Sequence, residues 1–439
     1  MTWPSYPEYR KASSNGILPE IPSHWDIAPI KRLGKIRYGI GEPPSYVEVG
    51  TPLIRATNVS AGRISEGGLV LVNPDDIPMR RIVWLSVGDI VVVRSGAYTG
   101  DSALVPKEYA GAIAGFDMVL TVSGADPEFV QYALLSEYLK QGQIDIARTR
   151  AAQPHLNSEE LGSCLCIVPP RGEQKEIVRF LDCETAKIDA LIAEQEQLIA
   201  TLREDRTATI TDAVTKGLNP AVQKRDSGVE WLGAIPQHWS VMKLRYVGQP
   251  IIGLTYSPDD VVDDTENSTL VLRSTNIQGG VLDLSDCVYV CCPIPDQLRL
   301  QHGDILLCSR NGSRALIGKN VLVDEQVAGQ SFGAFMTVFR SEFNVFLYWV
   351  FNSRLFHYQT ATFLSSTINQ LTTGNFKRME VPFPPAHEQR EIVSFLLGRT
   401  ATIDTLITKC DSVIATLREY RSALITDAVT GKIDVRGAA

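Results

Sequence analysis

The sequence predicts an α+β fold in which two α/β globular domains are separated by an antiparallel coiled coil of two long helices, with an internal pseudo-two-fold repeat. Two observations predict this fold. The segment 169–215 recurs at 384–430, where 29 of 47 aligned residues are identical. Each copy follows a stretch of short β-branched runs between Gly, Pro and Asp turns. A duplication of this kind indicates one structural unit of about 215 residues that is used twice.

Weaker matches extend the repeat over the whole chain of 439 residues. IPSHW at 21–25 matches IPQHW at 235–239, and VGDIVVVRSG at 87–96 matches HGDILLCSRNG at 302–312 with one residue inserted. These matches predict an N-terminal arm at 1–20, a first globular domain at 21–168, a helix at 169–217, a linker at 218–234, a second globular domain at 235–383, and a helix with a tail at 384–439.

Within the globular domains, β-branched runs at 69–73, 90–93, 270–273 and 306–308 predict strands. Helical stretches are expected near 127–146 and 342–360. Both domains are therefore expected to be mixed α/β globules.

The two repeated segments each predict a long helix that begins after a Pro-Pro pair, because proline cannot continue a helix upstream. About 44 residues at 1.5 Å each give roughly 66 Å. Apolar residues recur at heptad spacing, which is typical of a coiled-coil seam. The predicted seam consists of Ile177, Leu181, Ile188, Leu191, Leu198 and Leu202, with Ile392, Leu396, Ile403, Leu406, Val413, Leu417 and Leu424. An antiparallel pair is the simplest arrangement, but two helices that each pack on their own domain, or a purely structural coil, remain equally open.

Composition excludes several classes of protein. The formal net charge of −8 argues against a basic protein that coats nucleic acid, although it permits a local groove that binds DNA. The N-terminus has no apolar signal region, and no run of 18 apolar residues predicts a membrane span. The eight cysteines form no CxxC pair, so we interpret them as reduced cytosolic thiols.

Polar and basic residues cluster at matching places in the two globular domains. Arginine can pair with guanine, asparagine or glutamine with adenine, and hydroxyl groups with phosphate oxygens. The candidate DNA-binding residues are Arg55, Thr57, Asn58, Arg94, Ser95, Tyr98, Arg148, Arg150, Gln153, Arg273, Thr275, Asn276, Arg310, Asn311, Ser313, Arg314, Thr367, Asn369 and Gln370. Any one cluster alone would more commonly be solvated surface, but the recurrence with changed side chains is what two readers of different sequences would need.

No catalytic motif is present. GSRALIGKN at 312–320 has five residues between its glycines and Asn320 where a phosphate-binding loop has Ser or Thr. His24 and His238 recur within IPxHW, where stabilisation of a turn or packing is favoured over catalysis. We predict neither a catalytic residue nor a metal ligand.

The pattern resembles the specificity (S) subunits of type I restriction–modification systems over nearly the whole chain. The resemblance rests on SGVEWLGAIPQHW (227–239), on the two GDI-containing segments, and on the two helices that begin PPxxEQxEIVxFL and end in TDAVT. Residues 11–20 depart from this pattern because they lack the Trp-Leu-Gly of the linker.

The resemblance implies a non-catalytic subunit of a methyltransferase and endonuclease complex in the cytoplasm of a prokaryote. Each globular domain would be a target recognition domain for half of a bipartite, asymmetric site in double-stranded DNA. The coiled coil would set the spacing, two methyltransferase (M) subunits would bind the scaffold, and motor-nuclease (R) subunits would join them. S-adenosylmethionine, ATP and Mg²⁺ would belong to those partners, and no membrane would be involved. It also implies that 1–20 and the C-terminal tail lie close together. The alternatives are a coiled-coil scaffold that does not read DNA and part of a fused restriction enzyme.

Overall fold

The computed structural model describes residues 3–12, 18–148, 154–263, 266–364 and 369–437, except for the side chain of Arg148. The chain divides into two compact units. Unit 1 comprises Met1–Glu196 with Asp411–Ala439, and unit 2 comprises Gln197–Cys410. The boundary crosses both long helices, so each unit contains one half of each helix.

The first half of the chain contains fourteen described strands and six α-helices, besides short 3-10 and π helices. The strands are β1 Tyr9–Lys11, β2 Glu20–Pro22, β3 Asp26–Pro29, β4 Gly34–Tyr38, β5 Tyr46–Val47, β6 Thr51–Ile54, β7 Val59–Ser60, β8 Arg63–Ile64, β9 Val70–Val72, β10 Asp89–Val92, β11 Ser102–Leu104, β12 Ile113–Ala114, β13 Met118–Val122 and β14 Leu165–Val168. The helices are α1 Ile30–Leu33, α2 Pro127–Leu135, α3 Glu137–Leu139, α4 Asp145–Arg148, α5 Ser158–Ser163 and α6 Arg171–Lys216.

The second half repeats the order of the strands but has four α-helices. Its strands are β15 Lys224–Asp226, β16 Ala234–Pro236, β17 Ser240–Lys243, β18 Gln249–Ile252, β19 Val261–Val262, β20 Thr269–Leu272, β21 Ile277–Gln278, β22 Val281–Leu282, β23 Tyr289–Val290, β24 Ile305–Cys308, β25 Asn320–Leu322, β26 Ser331–Phe332, β27 Met336–Arg340 and β28 Glu380–Phe383. Its helices are α7 Asn344–Phe351, α8 Arg354–Phe363, α9 Thr373–Arg378 and α10 Ala386–Val429. The strands and helices predicted inside the globular domains are therefore confirmed.

The sheets of the two units correspond strand for strand. A four-stranded sheet has the order β11-β10-β13-β4 in unit 1 and β25-β24-β27-β18 in unit 2. A second has the order β12-β6-β9-β5 and β26-β20-β23-β19. In both units one pair of the second sheet, β12 with β6 and β26 with β20, is parallel. The α+β class and the internal repeat are confirmed at the level of topology.

Each unit has its own hydrophobic core, into which its portions of the long helices pack. In unit 1, Trp25 and Phe129 share a core with Leu181 of α6 and Leu424 of α10. In unit 2, Trp239 and Phe339 share a core with Leu396 of α10. The apolar faces of the helices are thus anchored to the globular part of each unit.

The long helices also pair antiparallel within each unit. In unit 1, Arg421 Nε of α10 donates to Asp189 Oδ1 of α6 at 2.9 Å, and Arg418 bonds Glu196 at 3.2 Å. In unit 2, Arg206 Nε of α6 donates to Asp404 Oδ1 of α10 at 3.0 Å. The first and last of these ion pairs occupy matching positions of the repeat, so the same contact recurs in both units.

The predicted seam is correct at its ends and wrong in its middle. Ile177, Leu181, Ile188, Ile392, Leu396, Ile403 and Leu424 are buried, and Leu202 and Leu417 are half-buried. We correct the assignments of Leu191, Leu198, Leu406 and Val413, which are 43–46% exposed.

Each misassigned residue precedes an isoleucine that is buried or half-buried, so heptad spacing could not choose between two adjacent apolar residues. The observed seam instead includes Thr185 and Thr400, which are 3% and 4% exposed. Their hydroxyls donate to the carbonyls of Leu181 and Leu396 at 2.6 and 2.7 Å. A threonine whose hydroxyl donates a hydrogen bond to a carbonyl of its own helix can be buried with that hydroxyl satisfied. The predicted seam contained only apolar residues and therefore left out these threonines.

The N-terminal arm and the C-terminal tail meet in unit 1, as the resemblance implies. The backbone N–H of Asp434 donates to the carbonyl of Pro4 at 2.7 Å. The hydroxyl of Tyr9 donates to the carbonyl of Gly431 at 2.8 Å, and the guanidinium of Arg436 lies 4.6 Å from the ring centroid of Tyr6.

Candidate nucleic-acid interface

Two matching asparagines hold a loop instead of facing solvent. Asn58 and Asn276 end 3-10 turns and are 0% and 1% exposed. Asn58 accepts the backbone N–H of Arg55 and donates to the carbonyls of Ser65 and Gly67 at 3.2 and 3.1 Å. Asn276 repeats this pattern with the carbonyls of Asp283 and Asp286. The prediction that these two amides contact DNA is therefore wrong, because the fold uses their hydrogen bonds.

Several predicted arginines are also engaged within the protein. Arg55 donates to the Tyr46 hydroxyl at 3.3 Å and to the Gly68 carbonyl at 2.6 Å. Arg273 pairs with the Asp286 carboxylate at 2.9 Å. These contacts brace the loop that follows β6 in unit 1 and the loop that follows β20 in unit 2. Thr57 lies in the first loop and Thr275 in the second, and both residues are exposed.

Arg94 is held differently, at the end of β10. Its guanidinium carbon lies 4.8 Å from the ring centroid of Tyr38 and 4.2 Å from that of Phe116. Both rings are exposed, by 42% and 46% respectively. Within the described residues, no hydrogen bond engages the side-chain nitrogens of Arg94, and its Nε atom is buried. Its terminal N–H groups are therefore available to a ligand.

Asp117 lies beneath this arginine. Its carboxylate accepts the backbone N–H of Arg94 at 3.2 Å and is 2% exposed. Burial raises the pKa of Asp117 to about 6, although the backbone hydrogen bonds of Arg94 and Ala56 and the positive charge of Arg94 each act to lower it. The carboxylate thus joins the loop of Arg94 to the loop of Arg55.

Arg310 is the corresponding arginine of unit 2. Its guanidinium carbon lies 5.1 Å from the ring centroid of Phe335, and this ring is 59% exposed. Arg310 is exposed, and no hydrogen bond engages its side chain in the part of the chain that the structure describes. Nearby Arg314, by contrast, donates to the Ala361 carbonyl at 2.9 Å.

The remaining predicted residues surround these two arginines. Ser95 Oγ bonds His155 Nδ1 at 2.8 Å, and Tyr98 is 51% exposed. Asn311 donates to Ser274 Oγ at 3.2 Å. Asn369 donates to the Gly312 carbonyl, Gln370 forms a β-bridge with Arg310, and Ser313 is exposed. Arg150, Gln153 and Thr367, and the side chain of Arg148, lie outside the described residues.

The aromatic residues that stack on the arginines of this surface were not among the predicted residues. Tyr38, Phe116 and Phe335 stack on the unbonded arginines, and Tyr46 stacks on Arg55 at 5.5 Å. Both phenylalanines follow a glycine in a short turn: Phe116 comes directly after Gly115, and Phe335 comes two residues after Gly333. An aromatic residue in a glycine-containing turn is a local pattern that could have identified them. Their proximity to the arginines depends on strand pairing, which the pattern does not give.

In unit 2, a cavity of about 420 Å³ opens between the loops. It is lined by Leu254, Thr255, Tyr256, Arg273, Ser274, Thr275, Gly333, Ala334, Phe335 and Met336. This cavity brings the predicted residues Arg273 and Thr275 beside the ring of Phe335, which supports Arg310. Aromatic faces beside guanidinium groups and hydroxyls are suited to bases and phosphates.

A second repeated arrangement explains the two IPxHW segments. Glu173 of α6 bonds His24 Nε2 at 2.8 Å and Trp25 Nε1 at 3.0 Å. Glu388 of α10 bonds the matching His238 and Trp239, the latter at 2.9 Å. These contacts fix the first turn of each long helix to its globular domain, which fits the predicted structural role of the two histidines.

The described ranges contain neither a cluster of metal ligands nor a membrane-spanning helix. Among those residues, no group of three or more His, Cys, Asp or Glu side chains could hold a metal ion. The same residues include no helix with the length and apolar character needed to cross a membrane.

Comparisons with known proteins agree with one another. A family model described as the type I restriction modification DNA specificity domain matches residues 295–410. The chain is 27% identical over 210 residues to the type I restriction enzyme EcoKI specificity subunit of Escherichia coli K12, which covers 46% of this chain and 44% of that protein. The match thus spans less than half of that relative. The chain is also 23% identical over 443 residues to the type I restriction enzyme MjaVIII specificity subunit of Methanocaldococcus jannaschii, which covers 95% and 94%.

The fold is also similar to that of a solved structure. It is described as the structural basis underlying complex assembly and conformational transition of the type I R-M system. The TM-score is 0.70 at 16% identity, over 94% of this chain and 99% of that one.

Proposed function

We propose that this chain is a specificity subunit of a type I restriction–modification system and that each of its two units reads one half of a bipartite site in double-stranded DNA. The observation that carries the proposal is the pair Arg94 and Arg310. Each unit has one arginine at a strand end whose guanidinium rests on an exposed aromatic ring and whose terminal N–H groups bond no described residue. Such a group is suited to the acceptors of a base edge in the major groove.

The surrounding loops support this proposal. The asparagines and arginines that brace them, such as Asn58 and Arg273, are consumed by internal bonds, so they fix the shape of the surface. Exposed hydroxyls such as those of Thr57 and Thr275 are suited to phosphate oxygens. A rigid scaffold with a few free donors is what sequence-specific binding needs, and a net charge of −8 does not prevent it.

We further propose that the long helices set the distance between the two half-sites and that methyltransferase subunits bind the scaffold around them. A helix of 46 residues, the length of α6, is about 69 Å long. In this proposal the chain does no chemistry. S-adenosylmethionine, ATP and Mg²⁺ bind the methyltransferase and nuclease partners, and the chain selects the DNA sequence on which they act.

The test is to express the chain together with the methyltransferase subunit of its own host and to sequence the modified bases in host DNA. The expected result is co-purification of the two proteins and methylation confined to one asymmetric motif in two parts with an unread gap. Methylation without a bipartite motif would contradict the proposal, and so would a motif unchanged when the globular domain at 21–168 is exchanged for that of another specificity subunit. A chain that co-purifies with the methyltransferase and gives no sequence preference would instead support the scaffold alternative.

A further inference from the structure

The two unbonded arginines do not occupy equivalent positions of the repeat. In unit 1, the backbone N–H of Leu156 donates to the carbonyl of Arg94 at 2.8 Å. In unit 2, the matching N–H of Leu371 donates to the carbonyl of Ser309, also at 2.8 Å. Arg94 therefore corresponds to Ser309, and Arg310 lies one residue further along the chain.

Two isolated β-bridges give the same correspondence. Ser95 bridges His155 in unit 1, and Arg310 bridges Gln370 in unit 2. Both pairs are separated by the 215 residues of the repeat. The arginine of unit 2 thus occupies the position of Ser95.

The turn that faces the arginine differs in the same sense. It begins at Gly115 in unit 1 and at Gly333 in unit 2, since each donates its N–H to the last residue of a matching strand at 2.7 and 3.0 Å. The turn ends at Asp117 in unit 1 and at Met336 in unit 2. The carbonyls of these two residues accept the N–H groups of the matching glycines, Gly39 and Gly253. Two residues follow the glycine in unit 1 and three in unit 2, so the turn of unit 2 is longer by one residue.

The extra residue keeps the stack intact although the arginine has moved. Phe116 lies next to Asp117, and Phe335 lies next to Met336. The distance from guanidinium carbon to ring centroid is 4.2 Å for Arg94 on Phe116 and 5.1 Å for Arg310 on Phe335. A ring supports the planar guanidinium at two different places on one scaffold.

We infer that Arg94 and Arg310 are specificity-determining residues, each of which reads a guanine in the major groove of its own half-site from a different position of the repeated fold. The inference rests on the proposed function. Lysine can still contact a phosphate as a point charge, whereas it cannot form the planar two-pronged contact of a guanidinium with a base edge. Stacking fixes the plane of the guanidinium, and a fixed plane is what a bidentate contact to guanine O6 and N7 requires. Because the two positions differ by one residue, the guanines occupy different steps of the two half-sites.

The test uses the complete complex of this chain with its methyltransferase subunit and maps methylated motifs by sequencing. The variants are Arg94→Lys and Arg310→Lys, which keep the charge, and Arg80→Ala, which removes one exposed charge from unit 1. Arg94→Lys is expected to lower methylation of the wild-type site by about 5- to 150-fold and to relax one guanine position in one half-site only. Arg310→Lys is expected to do the same in the other half-site. Arg80→Ala should leave the motif unchanged.

A transposed variant, Arg94→Ser with Ser95→Arg, tests the position itself. It places the arginine where unit 2 has it, but without the extra residue in the facing turn. We expect the methylated motif to lose its requirement for the guanine in the first half-site, while the second half-site is still recognised. Recognition of the second half-site serves as the control that the chain has folded. Near-normal methylation with the guanine retained would overturn the claim about position.

Other outcomes overturn the inference without touching the proposed function. These are a wild-type half-site without a G·C pair, an Arg94→Lys motif identical to the wild type, and a loss that falls equally on both half-sites. A wild-type complex that gives no bipartite motif would instead remove the proposed function itself.

Discussion

Truncating two leucines of α6 separates the observed coil from the heptad predicted by the sequence. Leu181 and Leu191 both belong to the predicted seam, but Leu181 is 0% exposed in the core of unit 1, whereas Leu191 is 46% exposed. Leu181→Ala and Leu191→Ala delete the same atoms from the same helix. Any difference between the variants therefore reports burial alone.

The expected magnitude follows from the atoms removed. Leucine to alanine deletes three carbons, at about 0.8 kcal/mol for each buried carbon, or roughly 2.4 kcal/mol. The cavity left in a core that includes Phe180 and Leu424 raises the loss to about 3–5 kcal/mol for Leu181. Leu191→Ala is expected to change the free energy of unfolding by less than about 1 kcal/mol, because half of its side chain already contacts water.

Thermal unfolding followed by circular dichroism is the assay. For a unit of this size, 1 kcal/mol corresponds to about 2–4 °C in Tm. Leu181→Ala should therefore lower the Tm of unit 1 by roughly 6 °C or more, and Leu191→Ala by less than about 4 °C. Equal losses for the two variants would refute the observed seam and restore the predicted one. A larger loss for Leu191→Ala would also mean that the helix is rotated from the orientation described above.

Four other changes have defined outcomes. One heptad inserted after Leu202 and one opposite it in α10 should lengthen the gap between half-sites by about three base pairs, since seven residues add about 10.5 Å; an unchanged gap in the methylated motif would contradict the spacing role. Glu388→Gln should destabilise the chain fully above about pH 4.5 and progressively less as the pH falls through the lowered pKa of Glu388. Burial by itself would raise this pKa, but the hydrogen bonds of Trp239 and His238 lower it, so the ionised carboxylate stabilises the folded state. Measurements of Tm as a function of pH, with Glu388→Asp as control, test this. Asp117→Asn should raise Tm relative to wild type at pH 7 more than at pH 4, because a pKa raised to about 6 disfavours the ionised carboxylate in the folded state; a pH-independent difference would contradict it. Thr400→Val should leave Tm unchanged or raise it, because its hydroxyl bonds only its own helix in the described structure; a loss as large as that of Leu396→Ala would argue against this environment.

Much of the fold could be predicted from the sequence because the chain contains the same structural unit twice. The duplication at 169–215 and 384–430 identified two long helices, and the structure places them at Arg171–Lys216 and Ala386–Val429. Strands such as β10 and β24 were visible as β-branched runs. These features are local, since helix and strand periodicity depend on residues that are near one another in the chain.

The site was predicted less well, because burial depends on residues far apart in sequence. Asn58 and Arg94 look equally polar in the sequence, yet Asn58 has no exposed side chain and Arg94 has free donors. Phe116 was missed because only strand pairing brings it to Arg94. The one-residue shift between Arg94 and Arg310 was hidden because the sequence alignment matched the arginines to each other and inserted the gap beside them.

The sequence by itself determined that the chain is a repeat of one α+β unit, that the unit ends in a long amphipathic helix, and that the chain resembles specificity subunits. Repetition and periodicity are properties of the order of residues, so they need no coordinates. The tertiary structure decided which of two adjacent apolar residues faces the seam, which polar groups form hydrogen bonds within the fold, and which of the described candidate arginines leave their guanidinium groups without a hydrogen bond. Those outcomes depend on packing between distant segments, because only a neighbour brought close by folding can bury a side chain or satisfy its donors.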